Sequence, residues 1–152
     1  MTQGLSDFFR EKKERVDAET EGIDWIARKS EWLNAVKQLF QLIETFLGEA
    51  IKQGTVAVSH REKQIIENHL GIYIIDELVL SVGDEEIIFS PKGRNIVGGQ
   101  GRVDVRGESG EGMLILQPGP RWCVVTSKYP QLKLMELTSE TLAELLRAIS
   151  RK

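Results

Sequence analysis

Apolar positions in the first third of the chain repeat with a helical period. Between residues 23 and 52, three neighbouring rows of apolar residues recur every seven positions, which predicts one long amphipathic helix. The apolar face is broader than the seam of a two-stranded coiled coil. We assign ten of its residues to a candidate oligomer interface: Trp25, Ile26, Trp32, Leu33, Val36, Leu39, Phe40, Ile43, Phe46 and Leu47.

A shorter helix is predicted before the long one, over residues 6–18. Its apolar content is small and consists of Leu5, Phe8, Phe9 and Val16. This helix can cover only about half of the apolar face over residues 23–52. We expect the strand region to cover the C-terminal end of that face. The remainder must meet another chain, most simply in a homodimer, or the first helix must pack unusually well.

The pattern changes to short alternating stretches after Gly54. Ten of the 14 glycines and all four prolines follow this residue, which is typical of strands separated by turns. The clearest hairpin covers residues 77–89, with Gly83 and Asp84 at its turn. Further strands are predicted at 102–106, 113–117, 122–127 and 132–137.

Two segments flank this strand region. In residues 60–70, Ser59 and Glu62 have the spacing of a capping box, which favours a short helix or irregular turn, although a strand at 64–67 fits as well. At the end of the chain, Thr138 is a suitable N-cap for an amphipathic helix. The apolar stripe of that helix consists of Leu142, Leu145, Leu146 and Ile149.

Together these elements predict an α+β protein. Residues 1–54 form a helical arm, and residues 55–152 form an antiparallel β-meander or small barrel closed by a C-terminal helix. Strands followed by a closing helix are compatible with a pleckstrin-homology-like barrel, an arrangement shared by many small barrels.

Composition narrows the function classes. The 152 residues include 20 Lys and Arg against 23 Asp and Glu, a net charge of −3, which argues against a nucleic-acid-binding protein. A single cysteine excludes an internal disulfide and a cysteine-based zinc site. No uncharged stretch approaches the ~18 residues of a membrane-spanning helix, so the expected location is the cytoplasm.

The glycine-rich segment after Pro91 is the most unusual stretch of the sequence. It lacks the Gly-Lys-Ser/Thr of a phosphate-binding loop, and Asp104 replaces the third glycine of a dinucleotide fingerprint. Gly98-Gly99-Gln100 resembles the tripeptide of peptide-chain release factors, in which the glutamine amide helps to position the attacking water. The resemblance covers only three residues and lacks the flanking pattern of that family. We therefore favour a structural interpretation, in which the glycines supply positive φ angles in a loop between strands.

Basic and polar residues around this segment form a candidate ligand-binding set: Lys92, Arg94, Gln100, Arg102 and Asp104. Their local positive charge suits a phosphate or an acidic partner. His60 and His69 are nine positions apart, which is not the spacing of a helical metal site, so we predict no metal and no cofactor.

Two functions follow from these patterns. The favoured one is a non-enzymatic binding or scaffold module that self-associates through its N-terminal helices and recognises an unidentified protein or small ligand. The alternative is a hydrolase acting on RNA or a nucleotide through residues 91–106. The hydrolase requires Gln100, Arg102 and Asp104 around one pocket with a histidine nearby.

Overall fold

The computed structural model describes residues 4–21, 24–94 and 100–152. Within these residues the fold is α+β, with two N-terminal helices, a short third helix, an antiparallel sheet and a C-terminal helix. The helices are α1 (Leu5–Glu21), α2 (Trp25–Phe46), α3 (Gly48–Gln53) and α4 (Ser139–Ile149). None of these described helices is both long and apolar enough to cross a membrane.

The sheet is a meander in which each strand pairs with the next along the chain. Its strands are β1 (Ala57–Glu67), β2 (Gly71–Val82), β3 (Glu85–Gly93), β4 (Gly101–Arg106), β5 (Glu111–Gln117), β6 (Arg121–Ser127) and β7 (Lys133–Glu136). β1 and β7 are the two edges, so the sheet is open. The meander that the sequence predicts is therefore present, and the barrel alternative is not.

The long N-terminal helix is interrupted once. Asp24 caps α2 by accepting a hydrogen bond from the Ala27 amide at 3.0 Å. The predicted helix over 23–52 divides at Leu47 into α2 and α3, and Gly54 ends α3 in the left-handed conformation with a φ of 76°. Glycine adopts this conformation without a steric penalty, which explains why the helical region ends at Gly54 and the strands follow it.

Segment 60–70 differs from the sequence-based expectation. The favoured short helix or irregular turn is wrong for most of it, and the alternative of a strand at 64–67 is confirmed, since β1 continues to Glu67 and pairs with β2 along its whole length. The pairing runs from Ala57 opposite Ser81 to Glu67 opposite Gly71. A partner strand outweighs the local capping pattern, because cross-strand packing decides strand formation more than local propensity does.

The hairpin predicted at residues 77–89 is confirmed. Leu80 lies opposite Ile87 and Leu78 lies opposite Phe89, and all four side chains are buried. Gly83 has a φ of 62° at the turn, as a tight hairpin requires.

One hydrophobic core contains residues from both sides of position 54. The sheet supplies an apolar surface that covers α2, and the Trp122 indole donates a hydrogen bond to the Ala35 carbonyl at 3.2 Å. Half of the candidate interface is consequently buried within the chain: Trp32, Val36, Leu39, Phe40 and Ile43. Trp25, Leu33, Phe46 and Leu47 are partly buried against this core, and Ile26 is 81% exposed.

The C-terminal helix packs on the same face of the sheet. Thr138 caps α4 in a reciprocal arrangement with Thr141, as the N-cap prediction requires. Leu142 and Ile149 are buried, and Leu145 lies where a side chain at Gly112 would otherwise project. These contacts make α4 part of the same core as the sheet and α2.

Candidate functional site

A groove of about 620 Å³ runs between α2 and the β1–β2 hairpin, and we call it the α2–hairpin groove. It lies where the β1–β2 hairpin extends beyond Leu78, the residue at which the pairing of β2 with β3 ends. Its lining residues are Leu33, Val36, Lys37, Phe40, Gln41, Glu44, His60, Glu62, Ile74, Ile75 and Asp76.

Apolar side chains form the base and part of one wall of the α2–hairpin groove. Val36, Phe40 and Ile75 are buried, whereas Ile74 is 62% exposed at the edge. Ile72 lies two residues before Ile74 on β2, and its cross-strand partner is Ile66. Residues two apart on a strand share a face, so exposed isoleucines continue from the groove along the hairpin.

The rim of the groove is predominantly acidic. Glu44, Glu62 and Asp76 supply three carboxylates, against the single ammonium group of Lys37. His60 lies between two of them, with its Nε2 atom 3.0 Å from Glu44 and its Nδ1 atom 3.6 Å from Asp76. The arrangement suits an elongated partner with an apolar stripe and basic flanks.

The predicted ligand-binding residues are divided between the two sides of the sheet. Arg94 and Gln100 line a second cleft of about 340 Å³ beside Trp32 of α2. Arg102 and Asp104 alternate with the buried Val103 and therefore project from the opposite face.

On that opposite face, Arg102 and Asp104 bind each other. The Arg102 guanidinium donates to both Asp104 carboxylate oxygens, at 2.6 and 3.0 Å, and this contact raises the pKa of Arg102 above its ordinary value. Lys92 is exposed, and its charge helps to lower the pKa of Lys63, although burial of Lys63 is the larger cause. Gly98 and Gly99 lie outside the described residues.

Neither histidine lines the cleft of Arg94 and Gln100. His60 belongs to the α2–hairpin groove, and the His69 ring stacks on Trp25 with a centroid distance of 4.4 Å. Gln100 and the Arg102–Asp104 pair thus lie on opposite faces of the sheet, and neither histidine lines the cleft that contains Gln100. No group of three His, Cys, Asp or Glu residues in the described ranges is arranged to hold a metal ion.

A buried polar chain connects α2 with the start of the β3–β4 connection. The Trp32 indole donates to the Tyr73 hydroxyl at 3.0 Å, and that hydroxyl donates to Glu67. The Glu67 carboxylate also accepts the Arg94 amide, at 3.0 and 3.1 Å to its two oxygens. Burial, followed by the contact with Glu67, raises the pKa of Tyr73, so its hydroxyl keeps the proton that it donates.

A second polar cluster lies on the opposite face of the sheet. The Lys63 ammonium donates to the Ser90 hydroxyl and to the Pro91 carbonyl, each at 2.8 Å. Burial alone would raise the pKa of Glu77. Its hydrogen bonds with Ser90 and Arg61 act in the opposite direction, and the pKa of Glu77 is lowered overall. Each of these groups has a partner within the sheet, so we assign the cluster to stabilisation of the fold.

Sequence reasoning missed the hairpin side of the groove. The available signal was the run from Ile72 to Ile75, three isoleucines and one tyrosine, which is expected of a strand with contacts on both faces. Its assembly with α2 depends on tertiary packing between segments that are at least 26 residues apart in sequence, from Phe46 to Ile72. Comparison with known proteins supplies no relative: no family model, curated protein or solved structure matches the chain.

Proposed function

We propose that the protein is a non-enzymatic interaction module that self-associates through its N-terminal helices, most simply as a dimer. The observation that carries this proposal is the exposure of large apolar side chains on α1 and at the start of α2. Leu5 is 77% exposed, Phe8 53% and Phe9 61%, and Ile26 near the start of α2 is 81% exposed.

The exposed residues of α1 form one stripe. Leu5, Phe8 and Phe9 have the i, i+3, i+4 spacing that places side chains on one side of a helix. The two phenyl rings are in edge contact at 5.1 Å between centroids. In proteins most of the stability of a helix comes from packing of its apolar face rather than from helix propensity. The stripe therefore favours a role in contact with another surface.

The proposed interface differs from the face assigned by sequence. Trp32, Leu39 and Ile43 are within the core of their own chain, so a second copy cannot contact them in this fold. Among the described apolar side chains of the N-terminal helices, the most exposed are those of the α1 stripe and Ile26 near the start of α2. Self-association by these residues leaves the core intact.

The test uses the full chain with Phe8→Ala and Phe9→Ala combined. Alanine preserves helix propensity, so the substitutions remove apolar surface without weakening α1 as a helix. We expect the apparent dissociation constant in sedimentation velocity to rise by roughly tenfold or more. The control is Glu14→Ala, nine residues after Leu5 and on the opposite side of the helix. Equal association by the double variant and the control would refute the proposal.

A further inference from the structure

We propose that the α2–hairpin groove receives helix α1 of a second copy, and that the two copies exchange these helices reciprocally. This inference rests on the proposed self-association and names its receptor surface. A reciprocal exchange uses the same two surfaces in each copy, which closes the assembly at two chains.

Both the groove and the α1 stripe present large apolar side chains to a partner. The groove is lined by the exposed Ile74, the partly buried Leu33 and the buried Phe40. The stripe of α1 presents the exposed phenyl rings of Phe8 and Phe9. A groove of about 620 Å³ has room for side chains of this size. Insertion of an amphipathic helix into such a groove is a common mode of recognition, with anchors at i, i+3 and i+4.

The middle of the α1 stripe carries charge opposite to that of the groove rim, although Glu19, seven residues after Lys12, adds an acidic residue farther along the same side. Lys12 follows Leu5 by seven residues and Arg15 follows Phe8 by seven, so both basic residues share the side of the apolar stripe. Both side chains are exposed, and the Lys12 ammonium lies 5.9 Å from the centre of the Phe8 ring. These cations would enter a rim in which carboxylates outnumber ammonium groups by three to one.

The acidic rim contains a pair of like charges. Glu62 and Asp76 are direct cross-strand partners in the β1–β2 hairpin, and both are exposed. Like charges at directly opposite positions destabilise an antiparallel pair. A basic side chain supplied by α1 of the second copy would relieve this repulsion, which gives the complex an electrostatic advantage over the separate chains.

Charge reversal on each surface separately tests the pairing. The groove variant carries Glu62→Lys and Asp76→Lys, and the helix variant carries Lys12→Glu and Arg15→Glu, both in the full chain. All four side chains are exposed, so each variant is expected to unfold near the wild-type temperature in circular dichroism. Each variant alone places like charges in both contacts of its homodimer, and its dissociation constant is expected to rise by roughly tenfold or more.

Mixing the two variants distinguishes the proposed contact from other interfaces. In the mixed dimer, the lysine groove receives the glutamate helix and the native groove receives the native helix, so both contacts are again attractive. Native mass spectrometry should show the mixed dimer in clear excess over either homodimer, with an affinity within about threefold of wild type.

Other outcomes overturn the proposal in different ways. Dimers of the separate variants that are as stable as wild type, or a mixture without preference for the mixed species, would refute the groove as the receptor while leaving self-association in place. A wild-type chain that is monomeric throughout, with α1 bound in its own groove or free, would refute both the groove exchange and the proposed function.

Discussion

Gly101 of β4 lies against the Trp32 ring of α2. A Cβ atom at position 101 would be 2.3 Å from the Cζ3 atom of Trp32, which is closer than two non-bonded carbon atoms can approach. The ring is almost completely buried and its centroid is 6.2 Å from that of Trp122. Trp32 thus fills the space that a side chain at Gly101 would need, and this contact sets how closely α2 approaches the sheet.

Gly101→Ala should destabilise the protein. The added methyl group displaces Trp32 or the backbone of β4, and overpacking of this kind costs about 1–3 kcal/mol in the free energy of unfolding. Urea unfolding of the full chain measures the change. Gly110→Ala is the matched control, because a Cβ atom there would have its nearest neighbour at 3.8 Å, an ordinary contact. Equal losses of unfolding free energy for the two substitutions would show that contact with Trp32 does not exclude a side chain at position 101.

Tyr73→Phe should also destabilise the protein, by about 1–3 kcal/mol, because it leaves the Trp32 indole and the Glu67 carboxylate without the hydroxyl between them. Both rings are buried, so water cannot readily replace the lost group. Tyr129→Phe serves as the control, since that side chain is 88% exposed. Unfolding free energies that are the same for both variants would contradict a structural role of the Tyr73 hydroxyl.

The contribution of Tyr73 should depend on pH. Burial and Glu67 raise its pKa in the folded chain above the ordinary value of 10.0. A raised pKa gives a stabilisation that is complete below pH 10.0 and is lost as the pH rises toward the folded value. The difference in unfolding free energy between wild type and Tyr73→Phe should therefore be constant from about pH 8 to about pH 9 and narrow by about pH 11. A difference that stays constant or widens above pH 10.0 would contradict the shift.

Local patterns predicted the elements whose structure depends on local interactions. The turn at Gly83 and the cap at Thr138 each involve neighbouring residues, and both are present as expected. The strand at residues 60–67 was not favoured, because its stabilising partner begins at Gly71 and the sequence shows no direct sign of their register. Non-local pairing is decided by tertiary context.

The candidate site was harder to predict than the fold. The apolar face of α2 signalled a partner, but the pattern cannot distinguish a second chain from the sheet of the same chain. Phe40 illustrates the difference: its position in the heptad suggested an interface, and the structure places it in the core at the base of the groove. The sequence analysis identified Leu5, Phe8 and Phe9 only as the small apolar content of the first helix, and their exposure became evident from the structure.

Sedimentation equilibrium of the unmodified chain tests the central claim most directly. The chain mass is 17.2 kDa, and self-association predicts a weight-average mass that rises toward twice this value as the concentration increases from about 1 µM to about 100 µM. A mass that remains at 17.2 kDa over the whole range would contradict the account.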